Sequence, residues 1–304
     1  MAVSVMREEI DPAAFGRRAA GVESLRIFKL ADAQRDEALA FLAERPVHTV
    51  YMSSLLRDNG VESRLNRGTF YACRDADDCL VGVALVGHAT LVETRSEAAV
   101  EAFARLARGC ASAYLIRGEQ EAVGTFWKYY AEAGDAPRLI SREMLYELRT
   151  PLAARESVRG LRRATLAEVE QVMRVNAAMV AEECGTNPSE RDPVGFRVRT
   201  ARRIEQGRVW VWADGAGIVF KADVLAETPE AIYLEGVYVR AEERGKGVGS
   251  RCMAQLGREL LSRVDAVCLV VSEKAEGAQA FYRKSGYRFL GYYDTIYLQP
   301  HGGN

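Results

Sequence analysis

Short apolar runs and amphipathic stretches follow one another in the same order in both halves of the chain. In the first half, alternating apolar positions predict strands, stretches with a helical period predict helices, and two apolar runs around an acidic turn predict a hairpin. The predicted segments are a strand over 24–30, helices over 32–44 and 47–56, a hairpin over 69–73 and 79–86, a strand over 89–92, a helix opened by a capping box at Thr94 and Glu97, a strand over 113–116, a helix over 121–131 and a strand over 139–148. We expect strands of one sheet with helices packed on it.

The second half repeats this order. Its predicted segments are a strand over 161–164, a helix opened by a capping box at Thr165 and Glu168, a helix over 196–205, a hairpin over 208–213 and 215–224, a strand over 232–239, a helix from Val248, a strand over 266–271, a helix over 276–285 and a long strand or hairpin over 287–298. Element order, rather than residue identity, thus indicates an internal repeat with a spacing of about 140 residues.

Length and composition fit two globular domains. The chain has 304 residues, of which 48% are hydrophobic and 27% charged, and the usual domain size of about 150 residues predicts two. We expect a lead-in over 1–22, one domain over 23–150 and another over 159–304. Six cysteines without a C-x-x-C pair are expected to be reduced.

Charge and hydropathy exclude several function classes. Lys plus Arg number 41 and Asp plus Glu 42, so no overall field favours nucleic acid or a membrane surface as a partner. No apolar run approaches the roughly 18 residues of a membrane-spanning helix, and the N-terminus lacks the apolar core of a signal peptide. We therefore expect a cytoplasmic protein. The sequence leaves the oligomeric state, monomer or homodimer, open.

A glycine-rich loop is the most informative motif. Arg244-Gly245-Lys246-Gly247-Val248-Gly249 follows the apolar strand over 232–239 and opens the helix from Val248. A helix start has backbone N–H groups without intrahelical partners and carries the positive end of the helix dipole, so it suits a pyrophosphate. The spacing matches neither the P-loop nor the dinucleotide fingerprint. The alternative is a solvated turn.

An Arg-x-x-Gly-x-Gly loop after a strand resembles the acetyl-coenzyme A signature of the GNAT superfamily (Gcn5-related N-acetyltransferases). The resemblance implies an α/β (α+β) fold with two tandem GNAT-like domains, each a mixed, mostly antiparallel sheet flanked by helices. It also implies acetyl-CoA as co-substrate and no metal. The corresponding loop of the first half, Glu93 to Glu97, has no glycine and two carboxylates, which would repel a pyrophosphate. The first copy is therefore expected to be degenerate.

The strand before the loop carries the candidate base. Transfer to an amine needs a base, a polarised thioester carbonyl and an acid for the thiolate. The resemblance implies that main-chain N–H groups near Val237, Tyr238 and Val239 polarise the carbonyl. Glu235 lies among apolar residues of the same strand, and partial burial would raise its pKa toward the range of a general base. The alternative is a structural ion pair with Lys221.

The helix over 276–285 carries the candidate acid, Tyr282. Ala278, Phe281 and Tyr282 resemble the second coenzyme-contacting motif of the family, in which Ala278 leaves room for the pantetheine arm and Tyr282 points at the sulfur. The alternative is that both aromatic residues belong to the core. Ala275 stands where the family often has asparagine, which predicts a weaker hold on the coenzyme.

The acceptor is expected to be a primary amine of a small molecule, an amino acid or a peptide. The family builds its acceptor pocket from the first helices and the hairpin, which here implies Glu183, Asn187 and Lys221. A second hypothesis is an acyl-CoA-binding regulatory module without turnover, and a further candidate is a tandem acetyltransferase like mycothiol synthase. A tRNA-dependent transferase is disfavoured because the chain lacks a basic stripe.

Overall fold

A computed structural model describes residues 25–153, 157–184 and 187–299. The elements of the first half are β1 (Arg26–Lys29), α1 (Arg35–Ala43), α2 (Pro46–Asn59), β2 (Gly68–Arg74), β3 (Leu80–Gly87), β4 (Ala89–Thr94), α3 (Glu97–Arg108), β5 (Leu115–Glu119), α4 (Gln120–Tyr130) and β6 (Leu139–Leu148). Those of the second half are β7 (Arg162–Arg163), α5 (Val169–Cys184), α6 (Pro188–Arg191), α7 (Pro193–Glu205), β8 (Val209–Asp214), β9 (Gly217–Glu227), β10 (Ala231–Val239), α8 (Val248–Leu261), β11 (Ala266–Ser272), α9 (Glu276–Lys284) and β12 (Arg288–Tyr297). The predicted repeat of element order is present.

The strands form one sheet in the order β1-β2-β3-β4-β5-β12-β6-β11-β10-β9-β8-β7. The pairs β4–β5 and β10–β11 are parallel, and the other neighbours are antiparallel. Each half thus contributes a mixed, mostly antiparallel sheet flanked by helices, and the predicted fold class is confirmed.

The last strand of each half pairs with the other half. β12 lies between β5 and β6, with Tyr293 opposite Glu119, and β6 lies between β12 and β11, with Leu145 opposite Val270. This exchange of strands also affects the apolar core. Ile296 of β12 packs in the apolar cluster of the first half, and Tyr146 of β6 packs in that of the second half. The two halves therefore share their central strands.

One of the two predicted capping boxes is correct. Thr165 begins a 3-10 turn ahead of α5, and its backbone N–H donates to the Glu168 carboxylate at 2.9 Å. In the first half, at Thr94, the prediction is wrong: β4 extends through Thr94, whose hydroxyl donates to the Val81 carbonyl at 2.6 Å, and Ser96 caps α3 instead. The long segment over 287–298 is one strand rather than a hairpin.

The structure also bears on the expectations for the cysteines and for membrane-spanning helices. Cys73, Cys79, Cys110, Cys252 and Cys268 are free thiols. Within the described part of the chain, each helix is too short or too polar to cross a bilayer.

Candidate active site

The parallel strands β10 and β11 separate and leave an opening in the sheet of the second half. Their pairing ends at Tyr233 and Cys268, although β10 continues to Val239. Before Glu235, buried residues dominate β10, whereas from Glu235 to Val239 every residue is half-buried. The change in burial follows from the loss of one neighbouring strand, and the opening leads to the glycine loop.

The glycine loop has the conformation that an anion site requires. Gly245 and Gly247 both have φ of 75°, and a Cβ added at either would meet nothing within 4 Å. Gly247 is the N-cap of α8, which has 14 residues and no side-chain cap. Among the described residues, none accepts a hydrogen bond from the N–H groups of Gly245 to Gly249. These amides are free to bind a pyrophosphate, so the loop fits the coenzyme.

Gly249 is needed for a different reason from the other two glycines. A Cβ there would lie 2.9 Å from the side chains of both Phe281 and Val239. The start of α8 is therefore packed between α9 and β10, which fixes the loop relative to the opening. Arg244 and Lys246 are exposed beside it: Arg244 Nε donates to the Val239 carbonyl at 3.0 Å, and Lys246 pairs with Glu243 at 3.2 Å. Val248 is buried in the core.

The hydrogen bonding of β10 decides which main-chain groups face the opening. The backbone N–H of Arg240 donates to the Val219 carbonyl on β9 at 2.9 Å. Tyr238 lies two residues earlier and pairs with Lys221 of β9, so its N–H also points toward β9. Because successive residues alternate in direction, the N–H of Val239 points toward the opening. The Tyr238 side chain packs with the apolar cluster around α5 and β8. Within the predicted segment Val237 to Val239, the N–H of Tyr238 therefore points away from the opening.

Glu235 lies at a bulge of β10. The register with β9 shifts between Glu235 and Tyr238, and Gly236 has φ of 57°. A Cβ at Gly236 would approach Lys221 Nζ to 2.9 Å. Both the positive φ angle and the lack of space for a side chain therefore require glycine at this position. The bulge turns Glu235 outward, and its side chain is 38% exposed.

The ion-pair partner of Glu235 is Arg203 on α7. Arg203 Nη1 lies 2.7 Å from Glu235 Oε1 and 3.2 Å from Asp223 Oδ2. Burial lowers the pKa of the Arg203 guanidinium, but Glu235 and Asp223 outweigh burial and raise it above its ordinary value. Arg203 therefore stays charged and orients the Glu235 carboxylate.

Lys221 belongs to the same network and does not reach the surface, so its predicted contact with the acceptor needs correction. The side chain is fully buried, its Nζ lies 2.9 Å from Asp223 Oδ1, and it donates to the Gly236 carbonyl at 3.0 Å. Lys221 thus supports the bulge from inside the sheet. The alternative of a Glu235–Lys221 pair is also wrong, because Asp223 takes the ammonium group and Arg203 takes Glu235.

A cavity of about 360 Å³ reaches Glu235 from the first half. Apolar and aromatic side chains form most of its wall, including Val47, Val50, Tyr51, Leu145, Tyr233, Val270 and Tyr293. Its charged residues are Arg45, Glu93, Arg117, Glu119 and Glu235. The cavity therefore joins α2, β4 and β5 of the first half to β10 and β11 of the second, and it fits a small organic molecule.

The first-half end of the cavity holds a group of polar side chains. Arg45 contacts Glu93 at 3.2 Å and Glu119 at 2.5 Å, and His48 Nδ1 lies 2.8 Å from the Tyr293 hydroxyl. Burial lowers the pKa of His48, although Glu119 opposes this, so the imidazole is mostly neutral at pH 7. Burial also raises the pKa of Glu93 against the opposing effect of Arg45.

Sequence reasoning named no residue at this end of the cavity. The expected acceptor pocket consisted of second-half residues, whereas the structure brings Tyr51, Glu119 and Tyr293 into one space with Glu235. The place of Tyr293 depends on the exchange of β12, which puts it opposite Glu119. A signal was present in the acidic residues around Glu93, but we interpreted them only as a reason against pyrophosphate binding.

Helix α9 packs against the start of α8, with Phe281 half-buried beside Gly249. Ala278 lies half-buried on the same apolar cluster. Tyr282 is 9% exposed and its ring packs near Tyr146 and Tyr287. Phe281 and Tyr282 therefore pack in the core, as the alternative interpretation of these two residues predicted. The role of Tyr282 as the acid remains a prediction.

The loop before α9 is held without the asparagine that the family often has. Ala275 is the N-cap of α9 and contributes no side-chain bond. Gln279, which is buried, donates from Nε2 to the carbonyls of Ser272 at 3.2 Å and Glu273 at 2.8 Å. Gln279 thus fixes the loop from within the helix.

The other predicted acceptor residues lie on α5 and α6. Asn187 caps α6, accepting from Ser189 N–H at 3.0 Å and donating to Glu190 at 2.9 Å. Glu183 lies near the end of α5, and its side chain falls outside the described part of the structure. Among residues 25–153, 157–184 and 187–299, no group of three or more His, Cys, Asp or Glu side chains is arranged to hold a metal ion.

Comparison with known families and structures gives a consistent result. The family described as acetyltransferase (GNAT) domain matches residues 205–289, a segment that includes Glu235, the glycine loop and Tyr282. No curated protein matches the sequence.

Three solved structures resemble the chain over most of its length. An acetyltransferase of the GNAT family from Colwellia psychrerythraea has a TM-score of 0.59 at 10% identity, covering 91% of this chain and 100% of that one. A tandem GNAT protein from the clavulanic acid biosynthesis pathway has a TM-score of 0.58 at 15% identity, covering 92% and 100%. A GCN5-related N-acetyltransferase from Sphaerobacter thermophilus has a TM-score of 0.59 at 15% identity, covering 92% and 97%. The likeness establishes a shared tandem fold.

Proposed function

We propose that the chain is a tandem-fold enzyme of the GNAT acetyltransferase superfamily and that it transfers an acetyl group from acetyl-CoA to the primary amine of a small molecule, amino acid or peptide. The observation that carries the proposal is the position of Glu235. It lies on the strand that leads to the coenzyme loop and also lines the cavity described above. One carboxylate thus connects the place for the thioester with the place for the amine.

The second half holds the coenzyme in this proposal. The free amides of Gly245 to Gly249 bind the pyrophosphate, with positive charge from Arg244 and Lys246 beside them. Half-buried apolar side chains along the opening, among them Val237, Val239, Ala278 and Phe281, provide a surface for the pantetheine arm. Bound acetyl-CoA supplies an activated acetyl group with a thiolate as leaving group.

The residues of the chain handle the protons. The carboxylate of Glu235, held by Arg203 at 2.7 Å, accepts the proton of the attacking amine directly or through a water. A nitrogen–carbon bond forms as the carbon–sulfur bond breaks, and the hydroxyl of Tyr282 donates the proton that the departing sulfur takes up. The N–H of Val239, which faces the opening, is placed to stabilise the developing charge on the carbonyl oxygen.

The direct test is steady-state release of free thiol with acetyl-CoA and a panel of amines. We expect Glu235→Gln to lower kcat by about 10²-fold or more, as for loss of a general base, while the Kd for acetyl-CoA stays the same. Tyr282→Phe should lower kcat less, because water can also protonate a thiolate. Unchanged kcat in Glu235→Gln would remove Glu235 from the mechanism.

A second candidate function is an acyl-CoA-binding module without turnover. The observation that favours it is Ala275, which contributes no side-chain bond at the start of α9. Acetyl-CoA binding without thiol release for any amine in the panel would support this alternative. Thiol release with a single acceptor would exclude it.

A further inference from the structure

Arg117 on β5 lines the cavity with most of its N–H groups unused. Its Nη2 lies 2.9 Å from Glu143 Oε2 and donates to the Tyr233 hydroxyl at 3.3 Å. Over residues 25–153, 157–184 and 187–299, no group accepts a hydrogen bond from its Nε or Nη1. The side chain is 32% exposed and belongs to the cavity wall. Since a guanidinium carries five N–H donors, several of those of Arg117 remain available to a ligand.

The Tyr233 hydroxyl beside this guanidinium also has a donor to offer. It accepts from Arg117, and within the described part of the chain no group accepts its own hydrogen. Burial raises the pKa of Tyr233 above its ordinary value, although Arg117 opposes this, so the hydroxyl stays protonated. Both side chains belong to the cavity wall. They present N–H and O–H donors side by side, and an ionised carboxylate, which only accepts hydrogen bonds, complements them.

The carboxylates of the chain near this site leave the free donors of Arg117 unoccupied. Glu143 contacts only Nη2, and Glu119, two residues along β5, contacts Arg45 at 2.5 Å. Burial lowers the pKa of the Arg117 guanidinium, but neighbouring groups, Glu143 among them, outweigh burial and raise it above its ordinary value. Arg117 therefore keeps its positive charge and can attract an anionic group of a ligand.

Tyr233 and Glu235 lie two residues apart on β10, and both belong to the cavity wall. Leu234, between them, packs in the core cluster of the second half, so the alternation along a strand puts Tyr233 and Glu235 together on the other face. Two residues of strand span about 7 Å, and a hydrogen bond at each end takes up about 3 Å. An acceptor that reaches both must carry its amine and its anionic group only a few bonds apart. A free amino acid does so, whereas a peptide has its amine and its terminal carboxylate farther apart.

We infer that the acceptor is a free amino acid, whose amine lies at Glu235 and whose carboxylate binds the Arg117 guanidinium and the Tyr233 hydroxyl. The inference rests on the proposed acetyl transfer and names its substrate class. The amine nitrogen takes the acetyl group and gives up one proton to Glu235, while the sulfur leaves and takes one proton from the acid, so the products are an N-acetylamino acid and CoA. The apolar part of the cavity wall, with Val50 and Leu145, suits an apolar side chain on this amino acid.

The test measures kcat/KM with acetyl-CoA for the standard amino acids, and then compares the most reactive one with its amide and with its decarboxylated amine. These two compounds keep the side chain and the amine but lack the negative charge. The wild-type protein should prefer the amino acid by about tenfold or more, as expected for a charge-assisted hydrogen bond. Equal kcat/KM for the three compounds would overturn the inference.

Two variants locate the carboxylate site. Tyr233→Phe removes one donor and should raise KM for the amino acid by about tenfold, with a much smaller effect on the decarboxylated amine. Arg117→Lys keeps the charge beside Glu143 but loses the planar arrangement of N–H groups, so it should act in the same direction. Tyr114→Phe is the matched control, because it removes a hydroxyl that accepts from Arg138 at 2.9 Å outside the cavity, and it should retain the preference. Equal losses for both acceptors in Tyr233→Phe would overturn the inference.

Titration calorimetry provides a readout that does not depend on turnover. With CoA in place of acetyl-CoA, the wild-type protein should bind the preferred amino acid, and Tyr233→Phe should bind it about tenfold more weakly. Equal affinity in the two proteins would contradict the assigned carboxylate site. Thiol release with amines but without a preference for a carboxylate would overturn this inference alone. Absence of thiol release with every amine would instead contradict the proposed transfer itself.

Discussion

At the scale of single residues, the buried pair of Lys221 and Asp223 supports the active-site strand. Both side chains are almost completely hidden from solvent, with exposures of 0% and 2%. Removing one partner of a buried pair leaves the other charge uncompensated, so Lys221→Met should lower the free energy of unfolding by roughly 3–5 kcal/mol. Urea denaturation measures this change. Arg105→Met, which breaks an exposed pair with Glu101, is the control, and an equal loss in both variants would contradict the account.

Sequence reasoning singled out residues whose type was unusual in their segment. A carboxylate in the apolar strand 232–239 marked Glu235, and the glycines marked the loop. The partner of Glu235 could not be predicted, because Arg203 is one of several arginines on α7 and tertiary packing alone selects it. The burial of Lys221 was missed for a similar reason, since β9 is covered on both faces and Asp223 allows a lysine there.

At the scale of elements, the capping box at Thr165 links helix formation to pH. Hydrogen bonds from Arg162 and then Thr165 lower the pKa of Glu168 to about 2, although burial opposes them. Because the folded pKa lies below the ordinary 4.5, this stabilisation is present above pH 4.5 and is lost as the pH falls toward 2.

We therefore expect Glu168→Gln to lower the free energy of unfolding by about 1 kcal/mol near neutral pH. The difference from wild type should shrink at about pH 3, where part of the wild-type stabilisation is already lost. Urea denaturation at both pH values measures it. A difference of the same size at both would show that the Glu168 charge does not stabilise the helix start.

Predicting elements from periodicity gave their type and order, and errors occurred at their ends. The wrong capping box at Thr94 came from a sequence pattern that tertiary structure overrides, because Thr94 still belongs to β4 and bonds across to Val81. Thr165, in contrast, follows the two-residue strand β7 without belonging to it, and it is free to cap.

At the scale of the whole molecule, the exchanged strands predict that the halves fold together. A fragment ending near residue 153 would expose both edges of β6, and a fragment starting near 157 would lack β6 between β11 and β12. We expect neither fragment alone to give a folded monomer by circular dichroism and size-exclusion chromatography, and both together to assemble with one cooperative unfolding transition. Two independently stable halves would contradict this prediction.

The repeat could be predicted from the sequence, whereas the strand exchange could not. Periodicity indicates where strands are, but β6 and β12 are compatible with pairing inside their own halves, and neither pattern names a partner. The cavity was missed as a consequence, since it depends on bringing Tyr293 beside Glu119. The domain boundary between residues 150 and 159 remains a prediction.

The central claim is that one coenzyme site serves the duplicated fold, at the glycine loop of the second half, while the cavity that joins the two halves serves the acceptor. Isothermal titration with acetyl-CoA tests it most directly. We predict one equivalent bound per chain, loss of binding in Gly247→Glu, and retention in Gly134→Glu, a control with a similarly open, positive-φ glycine (φ 98°). Two equivalents per chain, or binding unaffected by Gly247→Glu, would contradict the account.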